Sequence, residues 1–518
     1  MFSFRYLLFI VTFAFAISGC GVTLPPDTVA ATPKHPVVLS RYFSHTDRPL
    51  RGKSAYYPLS HPADALAARL FLIDHAVNTL DVQYYIYEND TVGTLISAHL
   101  YTAAQRGVRI RILLDDISTA GKDQSLSTLA AHPNITLHFF NPNKLRRAFR
   151  NVALLLNIDR LGKRMHNKAL IADNTVAVIG GRNIGDVYFA KDDTTLFLDY
   201  DILAVGSVVP QLTRAFERYF NSPTAESSDR ILDVPPHTVQ ESRRRRFIET
   251  FHQSPLGKAV ARSDFMRKLR RDRLILTVAD KSFLYYDDPR KVLTPEEDNR
   301  YHISAQVDET LKKVRRELLI VSPYFIPDAT FLENLRRLHR RGVRITVMTN
   351  SLASTDVFPV YSGYKRYIKA LLEAGVKLYE LKPDSLRYLP GNLPLTQTPH
   401  TSLHTKMMII DDDRLIVGSA NIDPRSDKLN TELVLFIVSR KLATYHKQRL
   451  FKARNLRYLY RVTWEEYPFK QRGNIRKGPV WTTLEHGKKI RYYAPPHTGF
   501  FKRLLTDLTA LLPIEGYL

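Results

Sequence analysis

The residues best suited to chemistry are a histidine and a lysine that occur together twice in this chain. His166 and Lys168 belong to one copy of the pattern H-x-K-x-x-x-x-D, and His404 and Lys406 belong to a second copy 238 residues later. Histidine can serve as nucleophile, acid or base because its pKa lies close to working pH. Lysine supplies a positive charge that can neutralise an anionic oxygen. The duplicated set therefore predicts nucleophilic and acid–base chemistry on an anionic group. The two aspartates that close the pattern are Asp173 and Asp411.

Both motifs continue into a short apolar run, a small-residue turn and an asparagine. The first run is Val176–Gly180 and leads to Asn183, and the second is Leu415–Gly418 and leads to Asn421. Period-two alternation predicts that the histidine and lysine of each copy share one face of a strand, and the turn brings the asparagine to the same edge. Each of these residues taken alone would be an ordinary core or turn residue. Their duplication as a set favours a functional site.

The elements around the motifs are also duplicated. Leu80–Tyr87 and Arg106–Leu114 read as two strands joined by an amphipathic helix and a glycine turn, and Leu318–Phe325 and Arg341–Met348 repeat that order. This is the pattern of a βαβ unit. Parallel strands of this kind need both sheet faces covered, so each copy is expected to be a layered α/β domain. An offset of about 235 residues indicates a duplicated domain instead of a solenoid.

The composition and net charge of the chain indicate its class of protein and the kinds of partner it can bind. The chain has 518 residues and a formal charge of +24, so two or three domains are expected, together with anionic partners: nucleic acid, an acidic membrane surface or phosphate-bearing substrates. An apolar fraction of 44% rules out a disordered chain. The only cysteine is Cys20, which excludes an internal disulfide framework and a cysteine-rich zinc site.

The paired motifs with their following asparagines resemble the phospholipase D superfamily over nearly all of residues 55–518. The second copy, which continues through Asp423-Pro-Arg-Ser426 to Asn430-Thr-Glu432, is similar to the cardiolipin synthases of that superfamily. Residues 84–93 and 181–189 resemble the C-type bacterial branch. The resemblance implies two phospholipase D-type α/β/α sandwich domains with one active site at their pseudo-two-fold interface, since neither copy holds the complete set.

The resemblance also implies a role for each residue. His166 would attack phosphorus to form a phosphohistidine, and His404 would protonate the leaving alcohol and later deprotonate the acceptor. The two lysines and the amides of Asn183 and Asn421 would hold the phosphoryl oxygens, a task that other phosphoryl-transfer enzymes give to magnesium, so no metal or other cofactor is expected. Asp173 and Asp411 belong to the motif, but by family analogy they are structural ion-pair or turn residues more than catalytic ones.

Each imidazole needs an acceptor on its second nitrogen. The resemblance suggests Asp199 and Glu432, which lie 33 and 28 residues beyond the histidines of their own copies. Asp199 could equally be a charged residue at a strand end. Four further residues are expected where strand ends and loops approach the site: Tyr84, Tyr324, Asp356 and Tyr364.

The N-terminus resembles a bacterial lipoprotein signal. Arg5 precedes the apolar run Tyr6–Ile17, which at twelve residues is short for a membrane span, and Ser-Gly-Cys20 follows. Cys20 is therefore the predicted lipidation site, although an uncleaved anchor gives a similar pattern. The predicted segments are a signal peptide (1–19), a tether (20–54), a first phospholipase D-like domain (55–225), a basic linker or excursion (226–295) and a second phospholipase D-like domain (296–518).

The resulting hypothesis is phosphatidyl transfer that forms cardiolipin, by a membrane-anchored lipoprotein facing the periplasm. Its expected partners are anionic phospholipids and the membrane surface, with no nucleic acid and no obligate protein partner. A hydrolytic phospholipase D would use the same residues, so the sequence separates the two activities poorly. An exported nuclease and a non-catalytic lipid-binding module are further alternatives. The basic, aromatic stretch Arg440–Arg503 and the arginine-rich stretch Leu145–Lys163 suit a membrane contact or an ordinary solvated surface equally well.

Overall fold

The structure is a computed structural model that describes residues 38–146, 150, 152, 156–191, 194–388, 399–451, 456–468, 475–512 and 516. The predicted signal peptide, the lipidation site Cys20 and the first part of the predicted tether lie outside the described residues. No helix among those that the structure describes has both the length and the apolarity needed to cross a bilayer.

The first half of the chain is built on a nine-stranded sheet in the order β10-β1-β8-β6-β5-β2-β3-β4-β9. The strands, with β7 outside this sheet, are β1 (Ser54–Leu59), β2 (Thr79–Tyr84), β3 (Arg109–Asp115), β4 (Ile135–Phe140), β5 (Ala169–Ala172), β6 (Val176–Gly180), β7 (Thr195–Leu198), β8 (Asp201–Gly206), β9 (Ala225–Ser227) and β10 (Thr277–Val278). The described helices are Leu39–Tyr42, Pro62–His75, Thr91–Gln105, Asp123–Ala130, Ile158–Leu161, Val208–Phe220, Ser228–Ile231, Glu241–Gln253, Pro255–Ala261 and Asp264–Arg270, with 3₁₀ turns at Asp116–Thr119 and Asp186–Tyr188.

The second half repeats this plan in a ten-stranded sheet, ordered β11-β18-β17-β16-β12-β13-β14-β19-β20-β21. Its strands, with β15 apart, are β11 (Lys281–Tyr286), β12 (Glu317–Val321), β13 (Arg344–Asn350), β14 (Val376–Leu381), β15 (His400–Leu403), β16 (Met407–Ile410), β17 (Arg414–Gly418), β18 (Leu433–Val438), β19 (Leu459–Pro468), β20 (Ile475–Glu485) and β21 (Lys488–Tyr492). The described helices are Ser304–Lys312, Ala329–Arg340, Phe358–Glu373, Arg440–Phe451 and Phe500–Thr509, with 3₁₀ turns at Pro289–Leu293, Asn299–Tyr301 and Ser385–Tyr388 and a π-helical turn at Arg425–Leu429.

The predicted βαβ units are present in both halves. Strands β2, β3 and β4 run parallel, as do β12, β13 and β14. On the other side of each parallel set, an antiparallel hairpin (β5–β6 and β16–β17) extends the sheet. All residues of β5 and β12 are buried, as expected for strands covered on both faces. The duplicated α/β fold predicted from the sequence is therefore confirmed.

The two halves share one hydrophobic core. Ile171 and Ile179 of the first sheet belong to the same buried cluster as Met407 and Leu415 of the second. In β16 the alternate residue Met408 belongs to a separate cluster on the other face of the second sheet. Period-two alternation thus divides each strand between a shared inner core and an outer core under the helices. The halves cannot separate without exposing this inner core.

Short backbone pairings also cross between the halves. β7 and β15 form a two-stranded parallel sheet of their own, and an isolated bridge joins Met165 to Thr431. The predicted linker, residues 226–295, contributes β10 to the first sheet and β11 to the second. These crossings bring the two motif regions together.

Candidate active site

Both motif histidines lie in extended segments that immediately precede a strand. His166 comes three residues before β5, and its N–H donates to the carbonyl of Thr431 at 2.9 Å. His404 comes three residues before β16, and its N–H donates to the carbonyl of Leu198 at 2.8 Å. The expectation that histidine and lysine lie within the strand is therefore wrong by a few residues. Each histidine segment lies outside its own sheet because its backbone is hydrogen-bonded to the other half.

Each histidine takes its carboxylate from the opposite half of the molecule. His166 Nδ1 lies 3.0 Å from both carboxylate oxygens of Glu432, and His404 Nδ1 lies 2.5 Å from Oδ2 of Asp199. The two carboxylates are those that the resemblance suggests, but the expected pairing of each with the histidine of its own copy is wrong. Thr431 directly precedes Glu432, and Leu198 directly precedes Asp199. The backbone hydrogen bond that each histidine makes to one of these residues therefore brings its imidazole to the carboxylate of the other half.

Burial sets the protonation of the two pairs. It lowers the pKa of His166 to about 4, with Lys168 adding to the effect and Glu432 opposing it. Burial also lowers the pKa of His404. For both carboxyl groups burial acts upward, but the adjacent histidines and lysines bring the pKa of Glu432 down to about 2 and that of Asp199 below its ordinary value. In the free enzyme these shifts favour neutral imidazoles beside ionised carboxylates.

A neutral imidazole beside an ionised carboxylate must carry its proton on the nitrogen that faces it. In both histidines that nitrogen is Nδ1, so the lone pair is on Nε2. Among the described residues, the Nε2 atoms of His166 and His404 have no hydrogen-bond partner. Each histidine is thus prepared to attack an electrophile or to accept a proton.

The two lysines are buried and anchored to the histidine backbone. Lys168 Nζ donates to the carbonyl of His166 at 2.5 Å, and Lys406 Nζ donates to that of His404 at 2.6 Å. Burial lowers the pKa of Lys168 to about 7, and it lowers the pKa of Lys406 as well. Each ammonium keeps two further N–H donors for a ligand. A phosphate between them would restore the charge that burial disfavours.

The side-chain amides of the two asparagines differ in their hydrogen bonding. Asn183 already uses its amide within the protein: Oδ1 accepts from the N–H of Ile86 at 3.2 Å, and Nδ2 donates to the Tyr188 hydroxyl at 2.8 Å. The side-chain oxygen of Asn421 is buried without a partner among the described residues. Asn421 also lines a cavity of about 520 Å³ together with Lys406. The pseudo-symmetry of the motif is therefore broken at the amides.

The motif aspartates hold the hairpins in place. Asp173 occupies the turn between β5 and β6 with a φ of 51° and accepts three backbone N–H bonds from residues 77–79 at 2.7–3.0 Å. Asp411 has a φ of 52° in the corresponding turn and accepts from residues 315–317. Both carboxylates lie at the far end of the strand from the histidine. This geometry fits the structural role that the family resemblance implied.

Two serines and two tyrosines at the site are not among the residues predicted from the sequence. The hydroxyls of Ser419 and Ser426 donate to the carboxylate of Glu432 at 2.5 and 2.7 Å. The rings of Tyr85 and Tyr188 meet His166 and His404 edge-on, with centroids 4.9 and 5.4 Å apart. Both serines stand within the family-like stretch after β17, which was the available signal. The tyrosines could not be singled out because strand ends in both halves are rich in tyrosine.

Two of the four residues expected near the site lie in the core instead. The Tyr84 hydroxyl accepts a bond from the buried Arg69, and the Tyr364 hydroxyl donates to the buried Glu380. Tyr324 donates to Asp356 at 2.8 Å, and Asp356 raises the pKa of His404 through its charge, although burial has the larger effect. Within the described ranges, no group of three or more His, Cys, Asp or Glu residues could hold a metal ion.

Comparison with known proteins agrees with this geometry. A family model described as "Cardiolipin synthase, PLD-like domain" matches residues 70–222 and 307–453. Cardiolipin synthase C of Escherichia coli is 36% identical over 477 residues, which cover 90% of this chain and 97% of that protein. Cardiolipin synthase 2 of Staphylococcus epidermidis is 26% identical and covers 76% of this chain and 66% of that protein.

Among solved structures, the phosphatidylserine synthase of Haemophilus influenzae superposes with a TM-score of 0.51 at 13% identity, covering 78% of this chain and 89% of that chain. At that identity the likeness concerns the fold alone. Both matched segments of the family model contain one histidine, one lysine and one orienting carboxylate of the site. The chain belongs to the cardiolipin synthase family of phospholipase D-like proteins.

Proposed function

We propose that the protein transfers a phosphatidyl group from one phospholipid to the headgroup alcohol of another and so forms cardiolipin. The observation that carries the proposal is the pair of buried histidines, each held through Nδ1 by a carboxylate of the other half and flanked by a buried lysine. The family supplies the substrate class, which is phospholipid at a membrane.

In the first step, Nε2 of His166 attacks the phosphorus of the donor lipid. The bond from phosphorus to the headgroup oxygen breaks, and that oxygen takes a proton from Nε2 of His404, which gains this proton from solvent when the anionic phosphodiester binds. Lys168 and Lys406 neutralise the non-bridging oxygens throughout. Glu432 stabilises the positive charge that His166 acquires when the phosphorus–nitrogen bond forms.

In the second step, His404 removes the proton of the acceptor hydroxyl, whose oxygen then attacks phosphorus. The phosphorus–nitrogen bond breaks and His166 is regenerated as a neutral imidazole. Charge favours this assignment of roles. Burial and Lys406 lower the pKa of His404, Asp199 and Asp356 raise it, and the negative charge of a bound phosphodiester raises it further. A bound donor lipid therefore favours protonated His404, which is the form that the role of acid requires.

Incubation of the purified protein with labelled phosphatidylglycerol vesicles in excess chelator tests the proposal. Mass spectrometry should find cardiolipin as the main product. Phosphatidic acid as the only lipid product would indicate a hydrolase, and cleavage of DNA without lipid turnover would indicate a nuclease. Loss of all activity in chelator, restored by one metal ion, would contradict a site whose cations are lysines.

We further propose that Cys20 is lipidated and that the catalytic domains face the periplasm, with anionic phospholipids as partners. The supporting observation is the position of the chain's single cysteine after an apolar run of twelve residues. Cys20→Ser should leave turnover in detergent unchanged but prevent acylation, which mass spectrometry of the intact protein detects. Continued acylation of the variant, or accessibility of the domains only from the cytoplasmic side, would overturn this placement.

A further inference from the structure

The helix Phe500–Thr509 directs its large apolar side chains toward solvent. Phe501 is 82% exposed and Leu508 is 53% exposed, and Leu511, just beyond the helix, is 82% exposed. We refer to Phe500–Leu512 as the C-terminal segment. Its exposed apolar residues are Phe500, Phe501, Leu504, Leu505, Leu508, Leu511 and Leu512.

These residues share one side of the helix. At about 100° per residue, the five within the helix occupy an arc of roughly 140°, and Thr506 lies on the opposite side. Thr506 is the buried residue of this helix, which packs against helix Phe358–Glu373 with an ion pair between Asp507 and Lys365. Surface helices of globular proteins normally bury their apolar face and expose their polar face. In this helix the apolar face is the exposed one.

Positive charge accompanies the apolar face. Lys502 and Arg503 lie within the helix, one on either side of the apolar arc. The whole chain carries a net charge of +24. Apolar side chains flanked by cations match the boundary between the headgroups and acyl chains of an anionic bilayer.

The C-terminal segment also lies beside the cavity that reaches the active site. Gly516, just after the segment, and Tyr367, on the helix against which the segment packs, both line the cavity of about 520 Å³. Lys406 and Asn421 line the same cavity. A membrane that contacts the segment would therefore be adjacent to a route toward the catalytic lysine.

We propose that the C-terminal segment inserts its apolar face into the interfacial region of an anionic phospholipid bilayer and places the cavity against the lipid. The choice of lipid as partner rests on the proposed function, whereas the exposed apolar face does not. Turnover in detergent micelles reports on the function separately, since micelles supply lipid without requiring a docked orientation.

The direct test is a depth measurement on the full chain bound to phosphatidylglycerol vesicles that contain brominated phospholipid. Phe501→Trp should give fluorescence that bromine near the headgroup boundary quenches, above the background of Trp464 and Trp481 in the unchanged protein. Ile275→Trp is the matched control, because Ile275 is 56% exposed but lies beside β10 of the first half. Equal quenching at both positions, or quenching at neither, would overturn the proposal.

A second measurement compares activities. The triple variant Phe501→Ser/Leu505→Ser/Leu508→Ser should lose at least tenfold in turnover on vesicles and keep its turnover in micelles. The control Ile275→Ser/Phe283→Ser/Leu293→Ser removes three comparably exposed residues and should change neither. Equal vesicle turnover of the two variants would contradict membrane docking. So would conversion of a dimer to a monomer by the triple variant with vesicle turnover unchanged, since the face would then bind a second copy of this chain.

Discussion

Glu432 lies in the second half of the chain and binds Nδ1 of His166 in the first, with both carboxylate oxygens 3.0 Å away. Ser419 and Ser426 donate to the same carboxylate and fix its position. Asp199 and His404 form the reciprocal pair in the opposite direction. The two halves therefore complete each other, and a single copy of the motif has no oriented histidine.

Removing the negative charge of Glu432 should reduce turnover without unfolding the protein. Glu432→Gln keeps the size of the side chain but no longer stabilises positive charge on His166, so kcat should fall about 10²–10⁴-fold. Glu465→Gln is the control, because Glu465 pairs with Arg491 on the surface. A loss of less than threefold in the Glu432 variant would show that the carboxylate has no part in catalysis.

The dependence of kcat/KM on pH should be bell-shaped. Below a pKa of about 4 His166 is protonated and cannot attack, so the rate falls toward acid. Toward alkali the rate falls because His404, whose pKa is lowered by burial, loses the proton that it gives to the leaving alcohol, and because Lys168 loses its charge above a pKa of about 7. Lys168→Arg, which keeps a cation at all working pH values, should make the alkaline fall less steep, because only His404 then loses a proton. An unchanged alkaline limb in that variant would exclude Lys168 as its origin.

Gly181 leaves room for the carboxylate that orients His404. A Cβ at this position would lie 2.2 Å from Oδ1 of Asp199. Gly181→Ala should therefore displace Asp199 and lower kcat by about 10²-fold, since an error of about 1 Å in catalytic geometry has that effect. Gly499→Ala, where a Cβ meets no atom within 4 Å, should retain full activity. Full activity of the Gly181 variant would refute the steric argument.

The motif aspartates should affect stability more than chemistry. Asp411→Asn keeps a residue that tolerates positive φ but turns an amide N–H toward backbone N–H groups, so the free energy of unfolding should fall by about 1–3 kcal/mol. Asp412→Asn, which removes a surface pair with Lys447, should change it by about 0–1 kcal/mol. Denaturant titration measures both. Loss of turnover in folded Asp411→Asn protein, with unchanged stability, would instead give this residue a chemical role.

Much of this arrangement follows from local sequence patterns. The repeated strand–helix–glycine–strand order is sufficient to predict two parallel βαβ units, because hydrophobic periodicity and turn residues determine local structure. The histidines and lysines are marked by their duplication. The assignment of Asp199 to His404 has no local signal, because it depends on backbone pairing between segments more than 200 residues apart. The outward orientation of the apolar face of helix Phe500–Thr509 could not be predicted either, since an amphipathic pattern does not indicate which face is buried.

The most direct test of the account is to trap the covalent intermediate. His404→Asn retains the nucleophile but lacks the acid and base, so donor lipid can form a phosphatidyl-histidine whose breakdown is slow. Labelled phosphatidylglycerol followed by peptide sequencing should place the label on His166. A label on His404 in the unchanged protein or in His166→Asn would reverse the two roles. Measurable turnover with no phosphohistidine in any variant would contradict the covalent route itself.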